Sequence, residues 1–133
     1  MLMPIPQYIL LLAFAALAIA IAAAADGLVE TLLHHYPAFA ARFPANPYWW
    51  NPALSWPNKG SGFLSRTLLV WTTDAYHCFR FASRVLLVLG TGMFALTSPL
   101  PFSRIWWKWA ALVAVAMAAA WLVGFYAVYS WIF

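Results

Sequence analysis

The sequence predicts an all-α integral membrane protein, with three transmembrane helices and a Trp/Pro-rich interfacial cap between the first and the second. Three observations carry this. Of 133 residues, 66% are hydrophobic and only 8% are charged, against about 25% charged in soluble domains. The apolar stretches are continuous, whereas barrel strands alternate in short segments. Aromatic and basic residues gather where those stretches end, as they do at membrane–water interfaces. The length fits a single membrane domain, residues 1–133.

The first helix is expected over about 5–35. Its apolar part, 8–25, spans about 27 Å at 1.5 Å per residue, enough to cross the hydrocarbon core. Its leader, MLMPIPQ, has no Lys or Arg, so it reads as an uncleaved helix and not as a signal peptide. Ala16, Ala20 and Ala24 form a ridge of small residues, the kind that lets helices approach closely. Beyond Ala25 the pattern turns amphipathic until Pro37.

Residues 36–62 form the cap. Pro37, Pro44, Pro47, Pro52 and Pro57 break it into short pieces, and Asn46, Asn51, Asn58 and Gly60 supply turn chemistry. Tyr48, Trp49, Trp50 and Trp56 load it with aromatics suited to headgroup level. The second helix is expected over about 64–97, with Ser65 as an N-cap, and Ser98-Pro99-Leu100-Pro101 ends it. The third is expected over about 103–131. Trp106, Trp107 and Trp109 with Arg104 and Lys108 mark one interface, and Tyr126, Tyr129 and Trp131 the other. Ala116, Ala120 and Gly124 make a second small-residue ridge.

Net charge is +4, but the basic residues flank or interrupt apolar helices, so nucleic acid is not an expected partner. The lipid bilayer is. Arg42, Lys59 and Arg66, with Arg80 and Arg84 nearby, place the long connection on the cytoplasmic side by the positive-inside rule. Cys78 is the only cysteine, which excludes an intrachain disulfide.

The chain holds three acidic residues and three histidines, all in the runs 26–35 and 74–77. At 100° per residue, Asp26, Glu30 and His34 share a face of the first helix. If the second helix is continuous, Arg66, Thr73, His77, Arg80 and Arg84 share a stripe, with Asp74 beside it. Both stripes adjoin the same connection. Glu30 with His34, and Asp74 with His77, each put a carboxylate and an imidazole one turn apart. Paired helices carrying such ligands build metal sites in bundles, and this set suits a divalent Zn or Fe ion with an open position. The expected metal ligands are therefore Glu30, His34, Asp74 and His77, with Asp74 and His77 as catalytic candidates. Asp26, Thr73, Arg66, Arg80 and Arg84 stand behind them or hold an anionic group. The competing expectation is an ion-pair network, three acids against Arg66, Arg80 and Arg84. Haem between His34 or His35 and His77 is a third.

One stretch has a familiar look. Tyr48-Trp49-Trp50-Asn51-Pro52, Leu54-Ser55-Trp56 and Asn58-Lys59 are followed by Phe63-Leu64-Ser65 and Thr72-Thr73-Asp74-Ala75-Tyr76-His77. This arrangement resembles a family of small bacterial membrane proteins with a Trp-Asn-Pro…Ser-Trp-x-Asn-Lys run before a Thr-Asp-x-x-His helix. The likeness covers residues 26–85. It departs at Tyr76, where the family has Trp, and in a shorter, less basic connection after Lys59. It implies a bacterial inner-membrane location and assigns no catalytic residue. Two functional expectations follow from the residues. One is a His/carboxylate, metal-binding site at the membrane interface acting on a lipid or membrane-embedded substrate. The other is a non-enzymatic accessory subunit of a larger membrane complex, or a homo-oligomeric scaffold or channel, whose polar stripe joins helices.

Overall fold

The computed structural model of the chain describes residues 5–57, 70–97 and 106–132. Arg66, expected on the polar stripe, lies outside them, as do Asn58, Lys59, Ser61, Ser65 and Arg104. The described residues form helices and turns only: α1 (Ile5–His34), α2 (Tyr36–Arg42), α3 (Pro47–Trp50), α4 (Pro52–Ser55), a 3₁₀ turn (Val70–Thr72), α5 (Ala75–Leu96) and α6 (Trp106–Ile132). Within α1, α5 and α6, the stretches Ile9–His34, Ala75–Leu96 and Trp107–Ser130 are long and apolar enough to cross a membrane. This is compatible with an integral membrane protein.

α1 is the centre of the bundle, and both α5 and α6 pack mainly against it. Its side chains are arranged opposite to those of a soluble helix. Ala15, Ala22 and Ala23 are buried, whereas Ile9, Leu10, Phe14, Leu17 and Ile21 point outward. Small inward residues bring backbones together, and Ile19, Val29 and Leu32 are the larger side chains buried among them. The closest approaches fall at glycines. A Cβ on Gly124 would collide with the carbonyl oxygen of Ala20, and one on Gly90 would lie 2.7 Å from Cγ1 of Ile19. One on Gly27 would lie 3.0 Å from the carbonyl oxygen of Phe125. The two expected small-residue ridges therefore meet, at Ala20 and Gly124.

Two apolar clusters sit at opposite ends of the bundle. Ala15, Ile19 and Phe94 form one, with Met93, Val113 and Met117 packed on it. Leu32, Phe39 and Ala75 form the other, beneath the cap. An aromatic chain ties the cap down: the ring of Phe39 lies 5.3 Å from that of Trp50, which stacks on Phe79 of α5 at 5.8 Å. Prolines begin α3 and α4, and asparagine side chains cap both. Asn46 accepts from the Tyr48 N–H and Asn51 from the Ala53 N–H, both at 3.0 Å. Proline suits the first helical turn because its missing N–H would have no helical partner there.

One expectation is corrected. The second long helix is not continuous through residues 70–74. A 3₁₀ turn ends at Thr72, and Asp74 is extended (φ −161°, ψ 164°) as the N-cap of α5. Thr72-Thr73-Asp74 is a run of side chains that compete for nearby backbone donors, which favours a cap over a helix interior. The helical phase that placed Thr73 on the stripe and Asp74 beside it does not apply to these two residues. Among the described residues, His77, Arg80 and Arg84 share it, on α5.

The glycine contacts carry a prediction. Gly124→Ala should lower stability by about 1–3 kcal/mol through overpacking against α1. Gly92→Ala, where a Cβ meets nothing within 4 Å, should be neutral or stabilising by up to about 1 kcal/mol. Thermal unfolding of both variants in detergent measures the contrast.

Candidate functional site

The structure divides the expected site into three separate pairs. The first lies at the start of α5. Asp74 is fully buried, at 0% exposure. It accepts from the His77 backbone N–H at 2.9 Å, and His77 Nδ1 lies 2.9 and 3.0 Å from its two oxygens. The Thr73 hydroxyl adds a bond at 3.2 Å. A carboxylate can only accept, so Nδ1 carries the proton and donates; the network fixes the tautomer. The negative charge also sits at a helix N-terminus, where the macrodipole favours it. The His77 side chain is 26% exposed. Tyr76 meets its ring edge-on at 4.9 Å and Trp56 at 6.3 Å, so the last turn of the cap lies against the imidazole.

The second pair is Glu30 with His34 on α1, at 3.4 Å and with both side chains well exposed. An ion pair of this kind contributes little in water. The third joins two helices: Arg80 of α5 reaches Asp26 of α1 at 3.6 Å. Arg84, one turn further along α5, is exposed and makes no ion pair with the described residues. Of the interhelical ion-pair network, one link is therefore present among the described residues.

Glu30, His34, Asp74 and His77 are not brought together as a four-ligand centre. Among the described residues no group of three or more His, Cys, Asp or Glu side chains is placed to hold a metal ion. The cause is local. Glu30 and His34 pair along their own helix, and the N-cap role turns Asp74 toward the start of α5. The histidines considered for haem are also turned to different partners, since His35 Nε2 meets the Tyr129 hydroxyl of α6 at 3.2 Å.

Three participants escaped the sequence reading. The sequence marks Tyr129 only as an interfacial aromatic and Trp56 only as part of the cap. Ser83 is fully buried on α5, with no hydrogen-bond partner for its hydroxyl among the described residues. Its position carried a signal, three residues after Arg80 and so on the side of α5 that meets Asp26.

No protein-family model, curated protein or solved structure matches this chain.

The Asp74–His77 geometry predicts a graded response. Asp74→Ala removes both the cap and the imidazole's anchor and should cost about 2 kcal/mol. Asp74→Asn keeps an oxygen for the His77 N–H and should cost about half as much. Unfolding in detergent gives the stabilities. Nitrogen NMR of the His77 ring should show a protonated Nδ1 in the parent chain and a mixed tautomer in Asp74→Ala.

Proposed function

We propose that the chain is a small integral membrane protein whose working group is His77, oriented by Asp74 at the rim of the bilayer beneath the aromatic cap. It acts there by proton transfer on a headgroup-level or membrane-embedded substrate. The observation that supports this is the grip of a fully buried carboxylate on Nδ1. A carboxylate that holds one ring nitrogen fixes the tautomer and presents Nε2 in a fixed direction, as general bases and metal-ligating histidines require. Proton transfer needs only this pair. A divalent Zn or Fe ion would take Nε2 of His77 as a ligand and would need further donors from outside the groups gathered here.

A second reading is favoured by a different observation, the separation of the three carboxylates into three pairs. In it the pairs are structural, and the protein is a non-enzymatic accessory subunit or scaffold. Asp26–Arg80 joins α1 to α5, and Asp74–His77 finishes a helix end.

The two readings separate in vesicles. Under the first, the parent chain and His34→Ala, reconstituted with a bacterial lipid extract, change a phospholipid species seen by mass spectrometry, and His77→Ala changes none. The absence of any His77-dependent product would leave the scaffold reading. Elemental analysis of the same preparations should find no stoichiometric Zn or Fe. Stoichiometric metal lost in His77→Ala but kept in His34→Ala would replace proton transfer with metal chemistry at the same residue.

A further inference from the structure

Arg84 has a cationic head and no counter-charge among the described residues. It is exposed on the outer face of α5. Arg80, one turn earlier, is paired with Asp26. Arg84 lies about 6 Å further along the helix than Arg80, at 1.5 Å per residue. Arg84 stands nine residues into α5, about 14 Å, so on the membrane reading its backbone lies within the hydrocarbon and its long side chain must snorkel to reach the headgroups. An arginine there needs an anion, because an unpaired charge near hydrocarbon is costly.

Among the described residues, each acidic side chain already has a nearer partner than Arg84. The protein has three acidic residues in all. Asp26 is taken by Arg80, Glu30 by His34 and Asp74 by His77. A second copy brings the same three, equally engaged. The surroundings of Arg84 suit a lipid instead. On the headgroup side, Phe81 stacks on Trp71 at 5.2 Å, an aromatic pair of the kind that sits at the membrane interface. On the hydrocarbon side, one turn on, Val88 is 71% exposed. Beyond it, Gly92 leaves open space where a side chain would stand. Aromatic pair, guanidinium, apolar ledge and notch follow one another along a single face, in the order of a phospholipid's headgroup, phosphate and acyl chain.

We propose that this face of α5 binds an anionic phospholipid, with Arg84 holding the phosphate through its planar fork and Val88 and Gly92 seating an acyl chain. The inference rests on the membrane reading. Failure of the chain to insert into vesicles would defeat that reading. An inserted chain with no lipid preference would defeat only the inference.

Native mass spectrometry of the full chain, released from detergent containing phosphatidylglycerol or phosphatidylcholine, tests it. The parent chain should retain phosphatidylglycerol about fivefold better than phosphatidylcholine, the scale expected for one arginine near an anionic surface. Arg84→Gln should lose that preference, and Lys108→Gln should keep it. Arg84→Lys, with the charge but no fork, should keep a reduced one. If Arg84→Gln fails to fold, the parent chain still decides, because its preference must fall as salt rises. Equal retention of the two lipids by the parent chain, or an unchanged preference in folded Arg84→Gln, would overturn the proposal. So would displacement by millimolar inorganic phosphate, which points to a free-anion site, or a lipid-free dimer that dissociates in Arg84→Gln, which puts a second copy on this face.

Discussion

The close approach of α6 to α1 at Gly124 and Ala20 is the contact on which the bundle depends. Where α1 turns alanines inward, it has little side-chain volume with which to grip a neighbour. It can gain dispersion energy only if the other backbone comes nearly into contact. Glycine at 124 makes that possible on one side of α1, and Gly90 does the same for α5 on the other. α1 is therefore clasped from two directions, and α5 and α6 are held mainly through it. The arrangement leaves apolar grooves of about 340 and 460 Å³ flanking Phe94, at the end of the bundle away from the cap.

The polar groups follow from that scaffold. With α5 seated on α1 through Gly90 and Ile19, the next level toward the cap brings Arg80 to Asp26. The separation from 19 to 26 is two helical turns, as is that from 90 to 83, so Ser83 belongs to the same level. One helix seam thus carries an ion pair and a buried hydroxyl. Near its end, Asp74 is withdrawn from any shared cluster because it finishes α5. A carboxylate that satisfies a helix N-terminus, a neighbouring hydroxyl and an imidazole has little capacity left for a metal. This favours proton transfer at His77 over a multi-ligand centre built on the same two residues.

The fold was largely legible because its signals are long and redundant. Three apolar runs, two sets of interfacial aromatics and a proline-punctuated cap all point the same way, and the ridges at Ala20 and Gly124 were visible as spacing alone. The site was legible only in its members. Asp74 and His77 stood out as a carboxylate and an imidazole one turn apart, but their partnership was read with the wrong local structure. Periodicity treats every residue as helical, and it cannot register that Thr72-Thr73-Asp74 offers the backbone better bonds outside a helix than within one. The resulting break changes which way Asp74 faces, and the four-ligand set fails with it. Tyr129 was missed for another reason: its link to His35 spans most of the chain, and no spacing rule reports such a contact.

The cap and the dyad are also physically joined. Phe39, Trp50 and Phe79 form one aromatic chain from α2 to α5, and Trp56, at the end of α4, lies against both Tyr76 and His77. The asparagine caps and prolines that set the lengths of α3 and α4 therefore also set where Trp56 falls. A shift of α4 by one residue would rotate that indole by about 100° around its helix and take it off the imidazole. The unusual density of proline and asparagine in this connection then has a mechanical reading. It builds a rigid path from the end of α1 to the one histidine whose ring is held by a buried carboxylate. On the proposed function, a headgroup-level substrate would meet an imidazole already flanked by Trp56 and Tyr76.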